Sequence, residues 1–245
     1  MRKTLFLLMS FILMSVLVLS EIVDAKEKVD KGPLTKKVFI HYKKPRGKPD
    51  NPGKKPKPPV DDEGSYTYIA QGMKWKTTEG YVLNPEGAPK GTIAAIETGM
   101  NTWDTEVDFS IFGSLSEDSS AEVDLSSVDN TNAIVFAPLD DAQIIAVTYV
   151  WGYYNAPPRF REIVEVDMIF NSDDWLNWGM VTDEVTDVMD ILNIATHELG
   201  HAAGMGDLYN TSALEETMYG YSQAGETKKQ DLYIGDIAGI KNLYE

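Results

Sequence analysis

The stretch Thr196-His197-Glu198-Leu199-Gly200-His201-Ala202-Ala203-Gly204-Met205-Gly206-Asp207 constrains this chain more than any other. Its first half reads H-E-x-x-H. On a helix, residues four apart share a face, so His197 and His201 can direct two imidazoles at one metal ion. Glu198 projects beside them, placed to take a proton from a metal-bound water. Gly204 follows as a helix-ending glycine able to adopt a positive φ. The chain can then turn back and present Asp207 as a third ligand. The protein contains three histidines, and two of them fall at this spacing, so coincidence is a poor account of the motif.

Such a helix needs a core around it. A chain of 245 residues, 43% of them hydrophobic, has room for one domain of ordinary size plus extensions. There is no cysteine. Disulfides, thiol catalysis and zinc ribbons are therefore excluded, and any metal falls to histidines and carboxylates. The net charge of −16 divides unevenly: residues 1–60 hold 14 basic and 5 acidic side chains, residues 61–245 hold 8 and 33. A domain this acidic repels phosphates, which argues against a nucleic-acid partner. It favours solubility and is compatible with calcium, although most of the charges read as a solvated face.

Residues 1–25 read as a signal peptide. Arg2 and Lys3 form the positive start, Leu5 to Leu19 the apolar run, and Val23-Asp24-Ala25 the cleavage region. The run is shorter than the roughly 20 residues of a membrane span. The expectation is a secreted or extracytoplasmic protein with no stable membrane insertion after cleavage. Residues 26–60 are rich in Lys, Pro and Gly, as in Lys43-Lys44-Pro45-Arg46-Gly47-Lys48-Pro49. They are expected to be extended and mobile, a basic linker, pro-segment or arm, because they bury too little apolar surface to offset ordering entropy. Within them Val38-Phe39-Ile40-His41-Tyr42 is a short apolar patch, and His41 reads as a solvated side chain rather than a ligand.

Residues 61–245 form the expected globular domain. Alternating and β-branched runs predict strands near 66–76, 107–113, 132–137, 144–151 and 163–170. Ile93, Ile96, Met100 and Trp103 repeat at helical spacing over 91–104. Residues 152–162, with Pro157-Pro158, and residues 173–178 predict loops. A helix over 186–203 carries the metal motif, with Val188, Ile191, Leu192 and Ala195 inward and Asp183, Glu184 and Asp187 near its start. A last helix spans 235–244, with Ile234, Ile237 and Ile240 on one side. Strands first and the metal helix late give an α+β fold.

The motif with Asp207 and the downstream Met218 resembles the metzincin metalloproteases, and within them the matrixins. Thr217-Met218-Tyr219-Gly220-Tyr221 is similar to their Met-turn, and Asp236-Ile237-Ala238-Gly239-Ile240-Lys241-Asn242-Leu243-Tyr244 to their last helix. Ile163 to Asn171 is similar to the strand that precedes their active-site helix. The likeness covers about residues 66–245 and is strongest over 197–218. It implies a zincin fold: a twisted, mostly parallel sheet with an antiparallel edge strand, an active-site helix and a C-terminal helix. It implies a zinc endopeptidase, a monomer acting on protein or peptide substrates, with one catalytic Zn²⁺ on His197, His201 and Asp207. Glu198 would be general base and acid, and Met218 a hydrophobic floor. A substrate would add as a strand along Ile144 to Trp151, bringing in Val147 and Tyr149, with Tyr219, Gly220, Tyr221 and Ser222 walling the pocket after the scissile bond.

The chain also departs from that pattern. Asp207 stands where histidine is common, which hardens the site. Glu215 and Glu216 are rival third ligands, as carboxylates near a later helix. Histidines for a second, structural zinc are lacking, so none is expected. Without cysteine, latency through a pro-segment thiol is impossible; Pro45-Arg46-Gly47-Lys48-Pro49-Asp50 echoes only the surroundings of such a thiol. Calcium is admitted as a companion ion at Asp140-Asp141 and Asp173-Asp174, without a complete EF-hand spacing. The rival reading is a secreted metal-binding or adhesion module that hydrolyses nothing, against which the intact Glu198 argues.

Overall fold

A computed structural model describes residues 29–45 and 65–245. The chain divides into a unit ending at Asp30, of which only Val29 and Asp30 are described, and a unit from Lys31 to Glu245, to which everything below refers. The signal-peptide reading of residues 1–25 lies outside the described residues, as does the Lys/Pro-rich run over 46–60.

Strands β1 (Thr35–Lys43), β2 (Glu79–Leu83), β3 (Phe112–Glu117), β4 (Ala133–Ala137), β5 (Ile144–Gly152), β6 (Ile163–Asn171) and β7 (Tyr221–Ser222) make one sheet, in the order β3-β2-β4-β6-β5-β1-β7. The β2–β3, β2–β4, β4–β6 and β1–β7 pairs are parallel, while β5 runs antiparallel to both of its neighbours. The expected mostly parallel sheet with one opposing strand is present. That strand is not left at an edge, because β1 covers it over eight residue pairs, from Thr35 opposite Gly152 to Tyr42 opposite Ile144.

Strand β1 corrects the expectation of an extended, mobile segment at residues 35–43. The Val38 to Tyr42 patch is short, and five residues alone cannot hold a strand. Paired with β5, its backbone donors and acceptors are satisfied by the ladder, which offsets the ordering cost. His41, read as solvated, is fully buried.

Three helices support the sheet: α1 (Thr92–Asp104), α2 (Ile191–Ala203) and α3 (Ile234–Tyr244). In α1 the buried stripe is Ala95, Ile96, Met100 and Trp103, close to the predicted repeat. It packs on α2 through Gly99, where a Cβ would lie 2.9 Å from Leu199 Cδ1. The Trp103 indole donates to the Thr196 carbonyl at 2.8 Å, tying the two helices together. Helix α2 is buried on almost every side. Full burial of Ile191, Ile194 and Leu199 contributes about 1.5–3 kcal/mol each. Met218, also fully buried, packs under Gly200, where any Cβ would collide with its sulfur and with Trp103.

Several predicted boundaries move. Residues 66–76 form no strand, only a bridge between Tyr68 and Met205. Their backbone bonds go elsewhere, the Ile69 N–H to Gly204 O and the Trp75 N–H to Tyr244 Oη. Near 107–113 the strand begins only at Phe112, because the Asp104 carboxylate takes the N–H groups of Ile111 and Phe112 and closes a turn. Helix α2 begins at Ile191 rather than near 186, since Asp190 caps it by accepting from the Asn193 N–H at 2.8 Å and Met189 bonds to Asn177 O. Of Ile234, Ile237 and Ile240, expected on one side of the last helix, Ile240 is buried while Ile234 is exposed at the start of α3.

Candidate active site

The site grows from how α2 ends. Gly204 adopts φ 107° and its N–H bonds back into the last turn, the left-handed cap expected of it. A Cβ there would also sit 2.5 Å from Met73 O. The chain reverses after Gly204 and brings Asp207 across from the helix. His197 and His201 lie one turn apart, their rings 4.9 Å centre to centre.

Each imidazole is fixed by a backbone carbonyl. His197 Nδ1 lies 2.7 Å from Thr217 O, and His201 Nδ1 lies 3.0 Å from Met205 O. A carbonyl only accepts, so both Nδ1 atoms carry the hydrogen and both Nε2 lone pairs point inward. Asp207 Oδ1 stands 3.3 Å from His197 Nε2 and 3.5 Å from His201 Nε2. These three atoms are buried and have no hydrogen-bond partner among the described residues. A buried donor set left unpaired and converging in this way fits a small cation. Tyr209 Oη donates to Asp207 Oδ2 at 3.0 Å and orients the carboxylate.

The rival third ligands are used differently. Glu216 Oε2 accepts from the N–H groups of Gly235 and Asp236 at the start of α3. Glu215 is exposed and reaches toward Lys228. Asp236 in turn accepts from the N–H groups of Thr217 and Met218, so the turn bearing Met218 hangs from the first turn of α3. That places the Thr217 carbonyl against His197.

Glu198 is wholly buried, and both of its oxygens are engaged. Thr148 Oγ1, on β5, donates to Oε2 at 2.5 Å, and His41 Nδ1, on β1, lies 3.0 Å from Oε1. Burial raises the Glu198 carboxyl to about 7, with His201 and Thr148 pulling the other way. His41 Nε2 faces Ser222 Oγ at 3.1 Å and Lys229 Nζ at 3.2 Å. An ammonium only donates, so Nε2 accepts and the hydrogen on Nδ1 is aimed at Glu198. Burial holds His41 well below its ordinary value, and His197 is lowered to about 4 for the same reason. His201 is raised: burial opposes its charge, but the Asp207 carboxylate outweighs that.

Strand β1 therefore lies in the cleft. The His41 ring sits 3.9 Å from that of His197, and Phe39 stacks on His201 at 4.4 Å. The pairing slips between His41, opposite Ala146, and Tyr42, opposite Ile144, so a bulge falls at the centre of the site. Val147 and Tyr149 lie opposite Ile40 and Val38. Thr148 faces Glu198, so strand alternation turns the Val147 and Tyr149 side chains to the other face of the sheet. Tyr219 and Tyr221 flank Gly220, where a Cβ would collide with the Tyr209 ring. Where β1 leaves the cleft, a cavity of about 350 Å³ opens between Lys43, Ser222, Trp175 and Met189.

Sequence reasoning missed Thr148, His41 as a buried group, and Lys229. Lys229 is fully buried on a short turn against α2, its own N–H held by Asn193 Oδ1 at 2.8 Å. Burial lowers its ammonium to about 7. The acidic loops considered for calcium serve the backbone: Asp173 Oδ2 accepts from Leu139 and Asp140, and Asp141 Oδ1 from Gln143.

Comparison with known proteins agrees with this geometry. The family model described as Matrixin matches residues 84–245. Metalloendoproteinase 1 of Glycine max is 39% identical over 77 residues, which are 31% of this chain and 24% of that protein. Metalloendoproteinase 1-MMP of Arabidopsis thaliana is 43% identical over 56 residues, 23% of this chain and 14% of that protein. The matched stretches are thus well under half of either relative.

Proposed function

The chain belongs to the matrixin family, and from that premise we propose that it is a secreted zinc-dependent endopeptidase. In this reading residues 1–25 are its signal peptide, residues 26–60 a pro-segment and residues 61–245 the catalytic domain. The observation that carries the reading is the convergence of His197 Nε2, His201 Nε2 and Asp207 Oδ1, buried and unpaired, one residue from Glu198. The names of both relatives support the same chemistry. No helix among the described residues is long and apolar enough to cross a membrane.

His197, His201 and Asp207 would hold the zinc. When bound, it supplies a Lewis acid that acidifies water and polarises a peptide carbonyl. Glu198 takes the proton of the attacking water and returns it to the leaving amine. Burial holds the Glu198 carboxyl above the ordinary carboxylate range, which favours its taking up that proton. Thr148 fixes Oε2, so that Oε1, now bonded to His41, is the oxygen left for the proton. The Thr217 and Met205 carbonyls hold both imidazoles in one tautomer. Strand β5 offers its backbone to an extended peptide, which here is β1 itself. Thr35 to Lys43 thus stands in for substrate, and the enzyme is latent until that strand leaves.

The test is casein cleavage by the full chain and by a Phe39→Gly, His41→Gly chain whose strand holds the groove less firmly. Cleavage by the second is expected to exceed that by the first, to stop with chelator and to return with zinc. A loosened chain that binds zinc and cuts no protein would favour the silent binding module.

A further inference from the structure

An ammonium group carries three hydrogens, and those of Lys229 have three acceptors. Two are the carbonyls of Tyr219 and Tyr221, the second at 3.1 Å, both part of the wall beside the cleft. The remaining acceptor is His41 Nε2 at 3.2 Å, which belongs to the strand that fills the groove. Ser222 Oγ stands 3.1 Å from the same nitrogen. Lys229, Ser222 and His41 are all fully buried. The His41 imidazole thus occupies a pocket with Glu198 on one side and two hydrogen-bond donors at its far end.

We propose that Lys229 and Ser222 determine specificity. They select a strand whose side chain in the place of His41 ends in a hydrogen-bond acceptor, a carboxamide, carboxylate or imidazole. The inference rests on the reading that a substrate strand takes the place of β1 in the same register. Its physical ground is the anchoring of Lys229. Two wall carbonyls and the packing around its stem keep the ammonium from turning away toward solvent. An aliphatic tip in the pocket would leave an ammonium hydrogen and a hydroxyl buried without partners. A site built to hydrogen-bond its ligand rejects a ligand lacking the acceptor far more strongly than an apolar pocket rejects a missing methylene. Because His41 lies against Glu198 and His197, the residue read in this way is one beside the bond to be cut.

The test uses the full chain carrying Phe39→Gly and His41→Gly, and labelled nonapeptides of the Thr35–Lys43 sequence with Gln, Glu, His, Met or Leu in the His41 place. Binding is read by fluorescence anisotropy and cutting by mass spectrometry. Gln and Met have nearly equal volume, so their ratio reports the acceptor. The Gln peptide is expected to bind about tenfold or more tightly than the Met peptide, and Lys229→Met is expected to abolish that ratio. If Lys229→Met does not fold, Ser222→Ala decides, since it removes one donor and leaves the wall carbonyls held; the ratio should narrow. Equal binding of the Gln and Met peptides would overturn the inference. So would a Lys229→Met chain that weakens all five peptides alike, because Lys229 would then only prop the wall. Peptides bound with the expected ratio but never cut would uphold the pocket and count against the peptidase reading instead.

Discussion

His41 Nδ1 lies 3.0 Å from Glu198 Oε1, which joins a residue of the N-terminal strand to the carboxylate expected to move the proton. The contact is buried, 157 residues apart in sequence, and it forms only because β1 lies along β5. On the proposed reading, the groove that would take an extended peptide holds the chain's own strand.

Loosening that strand should open the site. His41→Ala removes a hydrogen bond to a carboxylate, worth about 1.5–3 kcal/mol, and Phe39→Ala removes the stack on His201. In the double variant, amides of β5 between Ala146 and Val150 should exchange with deuterium roughly tenfold faster or more. Unchanged exchange would mean that the backbone ladder alone holds β1.

Thr148→Val keeps the shape of the side chain and removes the hydroxyl that steadies Glu198 Oε2. Groups that orient a catalytic centre from behind typically cost ten- to a hundredfold when lost, so turnover of a peptide substrate should fall by roughly tenfold. Zinc bound per chain should stay the same. A parallel loss of zinc would assign Thr148 to holding the fold of the site rather than the base.

Gly200→Ala places a methyl against the Met218 sulfur and the Trp103 ring. Overpacking of this kind costs about 1–3 kcal/mol, and because Gly200 lies beside His201, one of the proposed ligands, zinc affinity should drop with it. Urea unfolding of the apoprotein beside zinc titration measures both.

Asp167 gives the stability a pH dependence. Burial raises its carboxyl to about 7, opposed by the Ala133 N–H and aided by the charge of Glu165. Its ordinary value is near 3.9, so the folded state keeps the proton over an interval in which the unfolded chain has lost it. The stability from this group is fully present below about pH 4 and is lost as the pH rises through about 7. Asp167→Asn retains an acceptor for Ala133 and should flatten the decline in unfolding free energy between pH 5 and pH 8. An equally steep decline in the variant would exclude Asp167 as its source.

What could be read from the sequence was what local periodicity encodes. The His197, Glu198, His201 and Gly204 pattern is a property of one helix and its cap, and α2 bears it as expected. The apolar runs of β4, β5 and β6 were equally legible, since each is buried by its neighbours whatever surrounds it. Strand β1 was not, because its four apolar residues, Val38, Phe39, Ile40 and Tyr42, sit among lysines and gain a ladder only when β5 is presented to them. Thr148 and Lys229 are single polar residues delivered by tertiary packing, and no spacing announces them. Over 66–76 the strand reading failed at Gly72, whose φ of 73° turns the chain against Pro158. The start of α2 was misplaced because capping by Asp190 overrode a continuing run of helix-compatible residues.

On the proposed reading His197, His201 and Asp207 together hold one zinc ion, and counting zinc per chain by mass spectrometry tests this most directly. The wild-type chain, His201→Ala and Asp207→Ala would be dialysed side by side against the same buffered zinc. One zinc per wild-type chain, and a large loss in each variant while circular dichroism stays unchanged, is the predicted result. Zinc retained in full by Asp207→Ala, or none bound by the wild type, would contradict it.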